Sequence, residues 1–107
     1  MVTKNVPNRE ETGLGSYELV FIVRPDVSEE QLEAAVEGVS RFITSREGVV
    51  DEVEQWGRKR LAYPIRHHNE GSYVLTRFQF TPEQNHELET SLRISEDVIR
   101  HLLIRLD

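Results

Sequence analysis

The chain has 107 residues, 37% hydrophobic and 30% charged, with a formal net charge of −6 and no cysteine. That length suits one modest core. Without cysteine, a disulfide scaffold, a thiolate metal site and a cysteine nucleophile are excluded. No apolar run reaches the roughly 18 residues of a membrane span, and the N-terminus lacks the apolar stretch of a secretory signal, so a cytoplasmic protein is expected.

Residues 1–15 carry Pro7, Gly13 and Gly15 among polar side chains and read as a flexible extension. The domain is expected over 16–107. "SYELVFIVRP" is the first strand. Tyr17, Leu19, Phe21 and Val23 share one face, Glu18, Val20, Ile22 and Arg24 share the other, and Pro25 stops it. The next segment is helical. Ser28 and Gln31 form a capping-box signature, Glu29 and Glu30 suit the positive end of the helix dipole, and Leu32, Ala35, Val36, Val39 and Ile43 recur at helical spacing. Gly48 is placed as its left-handed cap.

Val49 to Arg66 reads as a long second strand, bulged at Gly57. Pro64 cannot donate to a ladder, so this strand belongs at a sheet edge. "HHNEGS" is read as the turn, with Asn69 and Gly71 as turn formers. In "YVLTRFQF", Val74, Thr76, Phe78 and Phe80 share one face, and Tyr73, Leu75, Arg77 and Gln79 the other. A second helix is expected from a Thr81 cap, with Pro82 in its first turn, Gln84 closing another capping box, and Leu88 and Leu92 as anchors. "VIRHLLIRLD" is the last strand. Its faces are ambiguous, because Arg100, Leu102, Ile104 and Leu106 alternate with Ile99, His101, Leu103 and Arg105.

The order βαββαβ with right-handed crossovers predicts a ferredoxin-like α+β sandwich. Its four-stranded antiparallel sheet has the order 4-1-3-2, with both helices on one face. The other face then has no helix, and Val20, Ile22, Tyr63, Tyr73 and Leu75 are placed there or at its edge as a protein-partner surface.

Catalytic and metal chemistry find little support. His67 and His68 are neighbours on an extended backbone and point apart, so they chelate poorly. The glutamates at 29, 30, 33 and 37 fit a solvated helix face, and no glycine-rich phosphate loop occurs. That absence weighs against two rivals of the same fold, a regulatory ligand-binding module and a small phosphate-cradling enzyme. Charge is distributed unevenly. Between Gly57 and Phe78 stand Arg58, Lys59, Arg60, Arg66 and Arg77, against Glu70 alone. Such cations can neutralise phosphates, and Tyr17, Trp56, Tyr63 and Tyr73 could stack on bases, though each ring better suits a core or a protein contact.

"YELVFIVRP", "WGRKRLAYPIRHHNEGSYVLTRFQF" and "LRISEDVIRHLLIR" together resemble the bacterial small-subunit ribosomal protein six family, from Ser16 to Asp107. The resemblance implies a structural RNA-binding protein with no enzymatic activity, cofactor or small-molecule substrate. It implies binding to the central domain of 16S ribosomal RNA as a heterodimer with small-subunit ribosomal protein eighteen. Carried over by matching position, Tyr17, Lys59, Arg60 and Arg93, with Arg100 and Arg105, become RNA or interface contacts, while Arg58 stands as an RNA contact only on its place in the run of cations that can neutralise phosphates. Three departures stand out. Gly15 and Ser16 replace the basic residues usual before the tyrosine, a role open to Lys4 or Arg9. The N-terminal extension is longer than usual, and the sequence stops after the last strand without an acidic or flexible tail.

Overall fold

The computed structural model describes residues 13–107. The expected extension lies, up to residue 12 and including Lys4 and Arg9, outside the described residues. The elements run β1 (Gly15–Val23), α1 (Glu29–Ser45), β2 (Val49–Ile65), β3 (His68–Phe80), a 3-10 turn (Pro82–Gln84), α2 (Asn85–Ile94) and β4 (Val98–Arg105). The strands form one antiparallel sheet in the order β2-β3-β1-β4, as the sequence predicts, with β2 and Pro64 at an edge.

Alternation decides which side of the sheet holds the core. Tyr17, Leu19, Phe21 and Val23 of β1 and Val74, Phe78 and Phe80 of β3 are buried beneath Val36, Val39 and Ile43 of α1 and Leu88 and Leu92 of α2. Leu88 and Leu92 lie one turn apart on one face, and each contributes about 1.5–3 kcal/mol by burial. Ser28 and Gln31 close the predicted capping box at the start of α1: the Gln31 amide donates to Ser28 Oγ at 3.1 Å, and the Ser28 amide to Gln31 Oε1 at 2.9 Å.

Several local expectations are corrected. Glu47, with φ of 64°, takes the left-handed position after α1, not Gly48. Gly48 is needed for another reason: a Cβ there would lie 2.6 Å from Ile43 Cγ2 and 2.8 Å from the Gln79 carbonyl oxygen. Thr81 makes no side-chain cap, and no second capping box forms. The chain enters α2 through the tighter 3-10 turn, which leaves Gln84 inside the backbone path instead of reaching back. The hairpin turn is Arg66–His67, with φ of 48° and 70°, because Ile65 pairs with His68 and leaves a two-residue loop. Positive φ at both central residues is the turn that matches strand twist. Asn69 and Gly71 therefore lie inside β3.

The ambiguity of β4 is resolved by a bulge. Val23 pairs with Val98 and Ile22 with Arg100, so Ile99 is the extra residue and turns to the face opposite the helices. Beyond it, Leu102 and Ile104 share that face with their partners Val20 and Glu18.

Candidate functional site

The helix-free face is not bare. β2 and β3 outrun β1, whose last residue, Val23, pairs with Ser72. The overhanging residues, about 60–71, make an arm that folds back over the sheet. Pairing within the arm breaks between Arg60 and Ile65, and Leu61 packs with Ile22 of β1 and Ile99 of β4. Gly71 permits the close crossing, since a Cβ there would meet Ile22 Cγ2 at 2.2 Å. At the far side Arg100 Nη1 donates to the Tyr63 hydroxyl at 2.8 Å, joining strands from opposite edges of the sheet.

Between arm and sheet lies a groove of about 260 Å³, lined by Val20, Ile22, Leu61, Tyr63, Tyr73 and Leu102 among others. Of the predicted partner-face residues, Val20, Tyr63 and Tyr73 are accessible there. Two expectations need correcting. Ile22 is buried under the arm and forms the groove floor, and Leu75, 3% exposed and flanked in the sheet by Val20 and Glu54, offers almost no surface. Leu102 at 57% and Tyr63 at 53% exposure supply the outer apolar wall. Leu61, Ala62, Ile65 and Leu102 line the groove without having been singled out. Only "LAYPI" hinted at them, as an apolar run on a strand edge.

The opposite end of the same face is polar. Arg77 donates to Glu18 at 2.9 Å and to Glu52 at 2.6 Å, and these hydrogen bonds, Glu18 first, hold its guanidinium pKa above the usual value. Gln79 reaches Asp51. Between the two ends, Gly57 adopts φ of 85° at the predicted bulge. The bulge makes Trp56 the extra residue and lays its ring on Tyr73, at 6.5 Å between centroids and 15° between planes. Lys59 Nζ sits 5.6 Å from the Trp56 ring.

The cations separate by what they touch. Arg24, Arg41, Arg46, Arg58, Arg77 and Arg105 each lie within ion-pair reach of a carboxylate. Arg24 clasps the start of β4 through Asp97 and also holds Asp26, whose pKa its hydrogen bond lowers. Among the described residues Lys59, Arg60, Arg66, Arg93 and Arg100 have no such partner. Lys59 and Arg60 stand at the base of the arm and Arg66 at its turn, while Arg66, Arg93 and Arg100 border one depression of about 240 Å³.

Three predicted RNA contacts therefore read differently. Tyr17 is 3% exposed and its ring stacks on Phe78 at 5.7 Å, so it belongs to the core and cannot receive a base; burial also raises its hydroxyl pKa. Arg58 donates to the Pro25 carbonyl at 2.7 Å and is turned toward the loop after β1. Arg105 donates to Asp107 at 3.1 Å and pairs across from Tyr17, near the end of the sheet away from the arm. Arg66, by contrast, is one of the cations between Gly57 and Phe78 that the sequence does not mark as a contact. Its position in the turn depends on strand register, which no local motif reveals.

Known proteins match this chain along nearly its whole described length. The family model for Ribosomal protein S6 matches residues 16–105. Small ribosomal subunit protein bS6 of Moorella thermoacetica is 49% identical over 92 residues, 86% of this chain and 94% of that protein. Its counterpart in Dehalococcoides mccartyi is 44% identical over 94 residues, 88% of this chain and 86% of that protein. The crystal structure of 30S ribosomal protein S6 from Thermotoga maritima superposes with a TM-score of 0.83 at 36% identity, covering 87% of this chain and 88% of that one. The C-terminal domain of the MgtC protein from Mycobacterium tuberculosis superposes with a TM-score of 0.61 but 14% identity, covering 94% of each chain, and shares the fold alone. A family match from the first strand to the last, carried on the same sheet order that the residues themselves require, means that the chain belongs to the bacterial ribosomal protein S6 family of the small ribosomal subunit.

Proposed function

We propose that the chain binds the central domain of 16S ribosomal RNA jointly with small-subunit ribosomal protein eighteen, seating the protein in the groove and the RNA along the arm. Family membership makes it a structural constituent of the small subunit, cytoplasmic and ribosome-bound, and not an enzyme. The observation that carries the finer reading is the juxtaposition of an apolar groove wall, Leu61 to Ile65, with Lys59, Arg60 and Arg66 on the same hairpin, which pair with no carboxylate among the described residues. Apolar burial in the groove would hold the partner, with Leu102 and Tyr63 as outer anchors. Lys59, Arg60, Arg93 and Arg100 would position phosphates.

Few side chains are placed to read base edges, so specificity rests on RNA shape and on the partner. The acidic face of α1, with Glu29, Glu30, Glu33 and Glu37 exposed, repels RNA from the rest of the body.

Leu102→Asp tests the groove. Leu102 is exposed and its loss leaves the core intact, so the melting temperature should hold. Affinity for protein eighteen, measured by calorimetry without RNA, should fall by roughly thirtyfold or more, the effect of losing one anchor. An unchanged affinity would remove the groove from the account.

A further inference from the structure

We infer that Arg66, Arg93 and Arg100 form a single clamp for consecutive backbone phosphates of an RNA strand, and that the hairpin turn is held in a left-handed conformation in order to deliver Arg66 to it. The inference rests on the RNA reading above and adds a residue and a geometry to it. Three elements contribute: Arg66 from the β2–β3 turn, Arg93 from the last turn of α2, and Arg100 from β4 just after its bulge. All three border one depression floored by Leu92, Val98 and Ile99, and none has a carboxylate partner among the described residues. Three guanidiniums without a carboxylate partner border this one recess, which His101, held by Glu89 at 3.0 Å, also lines. A recess of this kind suits a ligand with regularly spaced anionic oxygens, because each planar fork can take a phosphate in two parallel hydrogen bonds.

The turn points the same way. A two-residue hairpin loop with positive φ at both positions favours Asn-Gly or Asp-Gly, and here Arg66 and His67 occupy it. Side chains disfavour that backbone, so the choice of residues is not explained by stability. It is explained if the tip must carry a cation. Arg100 is already fixed by its bond to Tyr63, which orders one side of the recess before RNA arrives.

Arg66→Gly separates the two demands. Glycine accepts the left-handed backbone, so the melting temperature should stay level or rise. RNA binding by the preformed heterodimer should weaken about five- to tenfold near 0.1 M salt, and the slope of log K against log salt should become shallower by about 0.7–0.9, the signature of one lost phosphate contact. Arg93→Ala should do the same, and Arg41→Ala, exposed on α1 and paired with Glu37, should change neither quantity. RNA binding that is identical in wild type, Arg66→Gly and Arg93→Ala would overturn the clamp and leave the RNA reading standing. Weakened heterodimer formation without RNA in Arg66→Gly would also overturn it, in favour of an acidic protein segment in the recess. Failure of the wild-type heterodimer to bind central-domain RNA would overturn both.

Discussion

Replacing Lys59, Arg60 and Arg93 together by alanine is expected to weaken RNA binding by the heterodimer two to three orders of magnitude near 0.1 M salt. The size follows from counterion release: each phosphate contact contributes about 0.7–0.9 to the salt slope, roughly five- to eightfold in affinity at that concentration, and three contribute about 100- to 500-fold. The slope itself should become shallower by about 2.1–2.7. All three side chains are exposed and none is ion-paired among the described residues, so the fold loses only the weak contact of Lys59 with the Trp56 ring and the 3.5 Å bond that Arg93 donates to Thr90 Oγ1. A filter-binding or fluorescence titration over a range of salt reads both quantities. If affinity and slope stay at wild-type values, these cations do not touch phosphate.

Gly71→Val is expected to have the largest effect on the fold. The first added carbon already lies 2.2 Å from Ile22 Cγ2 and 3.2 Å from the Val23 carbonyl oxygen. Ile22 cannot step aside freely, because Leu61 and Ile99 enclose it. Overpacking of this kind costs about 1–3 kcal/mol. It also lifts the arm, and with it the groove wall, so affinity for protein eighteen should fall along with the urea midpoint. Gly38→Ala is the contrasting case. Gly38 lies inside α1 with open space where a Cβ would go, and alanine should stabilise by about 0.5–1 kcal/mol. A Gly71→Val protein with wild-type urea midpoint and partner affinity would mean that the arm is not held down by this crossing.

The elements that local chemistry specifies were legible before the structure. Strict alternation in β1 and β3 showed which residues form the core, a reciprocal Ser28–Gln31 cap marked the start of α1, and Pro64 sent β2 to an edge. What stayed hidden depends on contacts between distant segments. The turn falls at Arg66–His67 because register with β3 demands a two-residue loop there, although Asn69 and Gly71 have the better local chemistry. Ile99 changes face because of a bulge opposite β1. Tyr17 looked available because its position matches a contact carried over by resemblance, yet alternation alone put it with Leu19 and Phe21 in the core.

The candidate site was legible only in part. "GRKR" and "LAYPI" flagged the right strand, but nothing local says that its end folds back across two neighbouring strands to meet Arg100. Nor does composition reveal which cations are already neutralised. Arg58 is adjacent to Lys59 in sequence and differs from it in structure, since one is turned to Pro25 and Glu70 and the other to Trp56. Alternation along a strand separates neighbours that a charge run appears to unite.

The central claim is that the groove beneath the arm holds the protein partner while the cations at the base and rim of the arm hold RNA. The direct measurement is a parallel one: affinity for protein eighteen without RNA, and affinity of the preformed pair for central-domain RNA, in Leu102→Asp and in the Lys59, Arg60, Arg93 triple alanine variant. The account predicts that the first variant loses the partner while the second keeps it and loses RNA. A triple variant that fails to bind the partner, or a Leu102→Asp variant that binds it as well as wild type, would contradict the account.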